Sequence, residues 1–115
     1  MTVRRYHKDV GFPSNFQRPT RRVELRYSRH AAEQATKRGV PRLKSVTLGR
    51  FEVVEITVER GTVTKYFVRG TLDSDNDLLL SLAVSATGPW TVCTTWVNSK
   101  SDHHSTLDTT VYERP

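Results

Sequence analysis

A chain of 115 residues has the size of one domain and can bury a single core without disulfides or structural metal. Hydrophobic residues make up 36% and charged residues 26%, a soluble globular balance, with no apolar run near the roughly 18 residues of a membrane span. The single cysteine, Cys93, excludes an internal disulfide and a cysteine-cluster zinc site. The stretch from Thr2 to Thr20 has no apolar run of signal-peptide type, so a cytoplasmic protein is the expectation.

The net charge of +6 is unevenly placed, with 13 Lys/Arg against 3 Asp/Glu through Arg50 and 5 against 9 beyond it. A basic half implies an anionic partner. Phosphate backbones are the commonest, because each cation that contacts a phosphate releases condensed counterions. A basic solvated surface, or an acidic protein partner, accounts for the same charge.

Met1 to Arg22 lacks sustained periodicity and carries Gly11, Pro13 and Pro19 among clustered cations, so it reads as a flexible basic N-terminal arm, residues 1–22. Tyr6, Phe12 and Phe16 alternate there with Arg4, Arg5, Lys8, Arg18, Arg21 and Arg22. That mixture suits base stacking with phosphate neutralisation, or rings that pin the arm to the domain. The domain proper is expected over residues 23–115.

Val23 to Tyr27 alternates apolar and polar residues as a strand does. Ser28 is then a good N-cap, Ala31, Ala32 and Ala35 favour helix, and Gly39 supplies the stop. Ala31 and Ala35 form a small-residue stripe for close packing, while His30, Gln34, Lys37 and Arg38 form a polar stripe beside it. Arg42 to Leu48 follows Pro41 as a candidate second helical turn. Period-two runs come next, from Phe51 to Arg60, Thr62 to Thr71, Leu78 to Ser85 and Trp90 to Asn98, separated by turn residues. The expected fold is α+β, with the N-terminal helix or helices packed on a four-stranded antiparallel sheet.

Chemistry concentrates in two stretches, Ser28 to Gly39 and Trp90 to Tyr112. Metal-independent cleavage of RNA needs a base for the 2′-hydroxyl, an acid for the leaving oxygen, and cations or hydroxyls around the phosphate. His30, Lys37 and Arg38 with Thr94, His103 and His104 supply that inventory. Each has a plainer role available: His30 as an exposed or capping residue, Arg38 at the negative end of the helix dipole, Thr94 as an ordinary strand former. Asp102, His103 and His104 lack metal-ligand spacing, so neither metal nor cofactor is expected. No helix-turn-helix or zinc-finger spacing is present.

The segments SRHAAEQATKRGV and TTWVNSKSDHHSTLD, in that order, resemble the opening and closing patterns of small DUF4258-type toxin domains, a group similar to the barnase, colicin and RelE-like ribonucleases. The resemblance implies a metal-independent endoribonuclease that cuts by 2′-hydroxyl transesterification. It implies His30 and His104 as acid and base, with Arg38 and Thr94, or alternatively Thr95, on the phosphate. Lys37, Arg42, Asn98 and Asp108 are the expected RNA-binding or orienting residues beside them. The implied partners are RNA, as tRNA or mRNA, and an antitoxin or immunity protein, with no membrane. The alternative expectation is a catalytically inactive basic protein that occupies a host protein or nucleic acid.

Overall fold

The computed structural model describes residues 2–101 and 109–115. In chain order the elements are β1 (Val3–His7), β2 (Arg22–Tyr27), α1 (Arg29–Arg38), β3 (Ser45–Thr47), β4 (Glu52–Glu59), β5 (Thr62–Thr71), β6 (Asn76–Ala83) and β7 (Trp90–Ser99). Single 3₁₀ turns lie at Leu48–Arg50 and Thr109–Val111. The strands form one seven-stranded sheet, ordered β1-β4-β5-β6-β7-β2-β3. β4 to β7 is an antiparallel meander, β1 adds antiparallel to β4, β2 runs parallel to β7, and β3 adds antiparallel to β2.

Period-two alternation decides which side chains go inside. Paired residues Tyr6, Ile56, Tyr66, Leu82 and Val92 form one row across five strands, and Val53, Val68, Leu80 and Thr95 form the next. Ile56, Val68, Leu80, Leu82 and Val92 are each at most 1% exposed. Register shifts in the β4–β5 and β6–β7 pairings add local twist, and the sheet curls around this inner face as a half-barrel.

Helix α1 forms where the sequence signals place it. Ser28 Oγ accepts from the Ala31 N–H at 3.0 Å, and Gly39 closes the helix at φ 65°. Ala31 and Ala35 are 0% and 2% exposed, so the small-residue stripe does pack into the core. The helix is also joined to the side of β7. Ser28 N–H donates to Val92 O at 3.0 Å, and Thr95 N–H donates to Gln34 Oε1 at 3.3 Å.

The architecture differs from helices on a four-stranded antiparallel sheet. Seven strands are present, one pairing is parallel, and α1 is the only α-helix among the described residues. Arg42 to Leu48 is not a second helical turn: it holds β3, because Val46, 5% exposed, pairs opposite Val23 inside the core. Nor is the N-terminal segment a flexible arm. Tyr6 enters the core at 8% exposure, the Phe12 and Phe16 rings meet at a tilt and pack on the core, and Arg18 Nη2 donates to Gly49 O and Phe51 O at 2.8 and 2.7 Å.

The C-terminal residues return to the same edge. Glu113 N–H donates to Arg5 O at 2.7 Å, and the Tyr112 ring lies 4.9 Å from the His7 ring, with the Arg5 guanidinium 5.4 Å from its centre. His7 is buried and its Nδ1 accepts from the Asp9 N–H at 3.1 Å. Among the described residues, no helix is long and apolar enough to cross a membrane.

Two outcomes follow from this packing. Tyr6→Ala should destabilise the protein by about 3 kcal/mol in urea unfolding, as truncation of a buried aromatic does, whereas a residue in a loose arm would change nothing measurable. Burial first, then a hydrogen bond with Glu55, pushes the Tyr112 phenol up to about 12. A group whose native pKa is raised contributes stability that is complete below its unfolded value of 10.0 and is lost as pH rises through the native one. Stability should therefore fall between about pH 10 and 12, and Tyr112→Phe should flatten that decline.

Candidate nucleic-acid interface

Among the described residues, those nominated by sequence do not meet at one point. His30, Lys37 and Arg38 are exposed on α1, the last two in its final turn, where cations suit the helix dipole. Arg42 follows in the loop, with its guanidinium 5.6 Å from the Tyr27 ring centre, while the Tyr27 hydroxyl accepts from the Leu43 N–H at 2.9 Å. Thr94 pairs with Ser81 on the outer face of the sheet, away from α1. Asn98 pairs opposite Asp77 near the far end of β7. His104 and Asp108 lie outside the described residues.

The neighbouring threonine faces the other way. Thr95 is 0% exposed on the inner face beneath α1, and its Oγ1 has no hydrogen-bond partner among the described residues. A hydroxyl sealed in the core cannot receive an external phosphate. Thr94 on one face and His30 with Arg38 on the other side of β7 therefore do not form a phosphate cradle.

The fold does gather positive charge. From Arg18 to Arg50 the chain has ten Lys/Arg against Glu24 and Glu33, a net of +8, while the rest has eight Lys/Arg and ten Asp/Glu. Because β2, α1 and β3 are consecutive in the chain, and β2 and β3 are the last two strands of the sheet, most of this charge lies toward that end. Some of it is committed: Arg29 pairs with Glu33, Arg22 Nε donates to Ser45 Oγ, and Arg26 Nε donates to Thr91 Oγ1. Among the described residues, the side chains of Lys37, Arg38, Lys44 and Arg50 make no ion pair, hydrogen bond or ring contact, and Arg50 shares a surface hollow with Leu43 and Ser45.

Planar groups accompany the cations. The Arg21 guanidinium lies 5.3 Å from the Trp90 ring centre, and Trp90 stacks on Tyr66 at 5.5 Å with 3° between the rings. Burial raises the Tyr66 phenol above its usual range, with Arg21 opposing the shift. Sequence reasoning passed over Lys44, Arg50 and the Arg21–Trp90–Tyr66 stack. The charge count alone signalled the first two; the stack joins β5, β7 and the residue before β2, and leaves no local trace.

The other conspicuous polar cluster is structural. Asp77 accepts from Lys100 Nζ and Arg69 Nε, both at 2.7 Å, and these bonds hold its carboxyl below the usual carboxylate range. Among the described residues, no three His, Cys, Asp or Glu side chains are grouped to hold a metal ion. No family model, curated protein or solved structure matches this chain. The resemblance to the small ribonuclease toxins thus rests on its two motifs.

The threonine assignment is testable by stability. Thr95→Val should stabilise the fold by about 1 kcal/mol, because it removes a buried hydroxyl without a partner, whereas Thr94→Val should stay within about 0.5 kcal/mol of the parent. A large loss on Thr95→Val in chemical denaturation would instead mean that its hydroxyl is satisfied.

Proposed function

We propose that this protein binds single-stranded nucleic acid, RNA in the first instance, through the basic end formed by β2, α1 and β3, and that it does so in the cytoplasm. The observation that carries the reading is the net charge of +8 between Arg18 and Arg50, with the side chains of four of its cations, Lys37, Arg38, Lys44 and Arg50, making no ion pair, hydrogen bond or ring contact among the described residues. Unpaired cations need not break an existing ion pair to engage a phosphate, so the counterions released from the strand become net driving force. Guanidinium groups held over rings, as Arg42 is over Tyr27, add planar surfaces on which bases stack.

The salt dependence of affinity gives a direct test. For single strands log K falls with log salt by about 0.7 per neutralised phosphate, so Lys37→Gln with Arg38→Gln should reduce the slope by about 1.4. An unchanged slope in a folded variant would place the contact elsewhere.

A second reading, metal-independent cleavage of RNA, has narrower support: His30 is exposed on the same helix as Lys37 and Arg38 and can exchange protons with a strand bound there. An antitoxin or immunity protein as partner belongs to that reading. Incubation of total RNA with the protein in excess EDTA separates the two. The binding reading expects intact RNA; cyclic-phosphate ends, absent with His30→Ala, would establish cleavage.

A further inference from the structure

A groove of about 710 Å³ opens on the inner face between β1, β4, β5 and the loop before β2, away from α1. Its volume falls in the range of small-ligand sites. Tyr6, Phe16 and Tyr66 supply aromatic wall, Ile56, Val58 and Val63 apolar floor, and Asn15 and Gln17 amide groups. Its two charged lining residues are Arg4 and Arg60, and no carboxylate lines it.

The pairing pattern makes those two arginines distinctive. Arg4 and Arg5 are neighbours on β1 and point to opposite faces. On the outer face Arg5 Nη2 meets Glu55 Oε1 at 2.8 Å, and after the strand Lys8 meets Glu52 at 2.9 Å. On the groove side neither Arg4 nor Arg60 has an ion-pair partner among the described residues. Arg60 also stands in the β4–β5 turn at φ 54°, before Gly61 at φ 76°, a left-handed conformation that glycine would adopt with less strain. A cation thus occupies a backbone position that favours another residue.

The third wall is stiff. Trp90 stacks on Tyr66 with nearly parallel planes, so Tyr66 is already fixed where it lines the groove and loses little freedom on meeting a planar ligand. Cations without acids in an aromatic cleft fit a ligand that is both anionic and planar.

We infer that this groove binds a nucleotide unit, its base against the aromatic wall and its phosphate between Arg4 and Arg60. The shared chemistry has two sources, a free mononucleotide or one nucleotide of a bound strand. The second rests on the nucleic-acid reading above; the first stands without it. Asn15 and Gln17 are placed along the groove to read a base edge by donating and accepting at once.

The test uses the full chain, with AMP, GMP, CMP and UMP as free probes and a labelled oligouridylate as the strand, both followed by titration calorimetry. Arg60→Gly removes the cation and relaxes its backbone, so the variant should fold at least as well as the parent by thermal melting. It and Arg4→Gln should each weaken nucleotide binding by about tenfold, the loss expected for a charged hydrogen bond. Tyr66→Leu should weaken nucleotides while leaving inorganic phosphate unaffected. Free nucleotide binding that survives Lys37→Gln with Arg38→Gln identifies a mononucleotide site. Strand binding weakened by both variant sets, with free nucleotides silent, identifies a nucleotide within a strand. Two results overturn the proposal: no response to any free nucleotide at about 10 mM with strand binding indifferent to Arg4 and Arg60, or nucleotides no tighter than inorganic phosphate and indifferent to Tyr66→Leu. The first leaves the basic end of the sheet as the strand's contact, so the two readings fail separately.

Discussion

Strand β7 has more edge than β2 can cover. β2 pairs with it only through Leu25, Arg26 and Tyr27, opposite Trp90, Thr91 and Val92, and the chain then turns at Ser28 into α1. Beyond that point β7 would present unpaired backbone groups to the core, where each costs about as much as a lost hydrogen bond. The helix meets that need: Gln34 accepts the Thr95 N–H, and Ser28 Oγ reaches Cys93 O at 3.4 Å. Ala31 and Ala35 are small enough for the helix backbone to approach this closely. Within the basic segment, β2 and α1 are therefore both attached along one edge of β7.

That attachment explains why charge and chemistry separate. The side of α1 that touches the sheet is spent on alanines and Gln34, so His30, Lys37 and Arg38 remain outside, with Arg42, Lys44 and Arg50 in the chain that follows. Thr94 and Trp96 alternate to the opposite surface of β7, where Trp96 packs 5.1 Å from Phe67. The stretch that looks densest in reactive residue types is divided by the sheet itself. A charged surface survives that division, because attraction for a phosphate chain needs charge density more than it needs convergence on a point.

Much of this was legible in the sequence. Ser28, the alanine stripe and Gly39 marked α1, and period-two runs marked β4 to β7. Two elements were hidden for physical reasons. β3 is three residues with one buried side chain, too short to show a period. β1 is VRRYH, a strand whose Arg4 and Arg5 resemble a disordered basic tail; only its register, with Tyr6 opposite Ile56, shows that it closes the core. The parallel β2–β7 pairing was equally out of reach, since it joins segments far apart in the chain through three residue pairs. The basic half was visible as a count, but not as an end of a sheet. The groove was not visible at all, because Arg4, Phe16, Arg60 and Tyr66 meet only after the meander folds.

The proposed contact with nucleic acid is the basic end, and not the outer face. The most direct measurement is backbone amide NMR during titration with a short single-stranded RNA. Shifts concentrated from Lys37 to Arg50, with Phe67, Leu79 and Trp96 unmoved, are expected. Shifts centred on Thr94 and the outer face, or none with a folded protein at low salt, would contradict it.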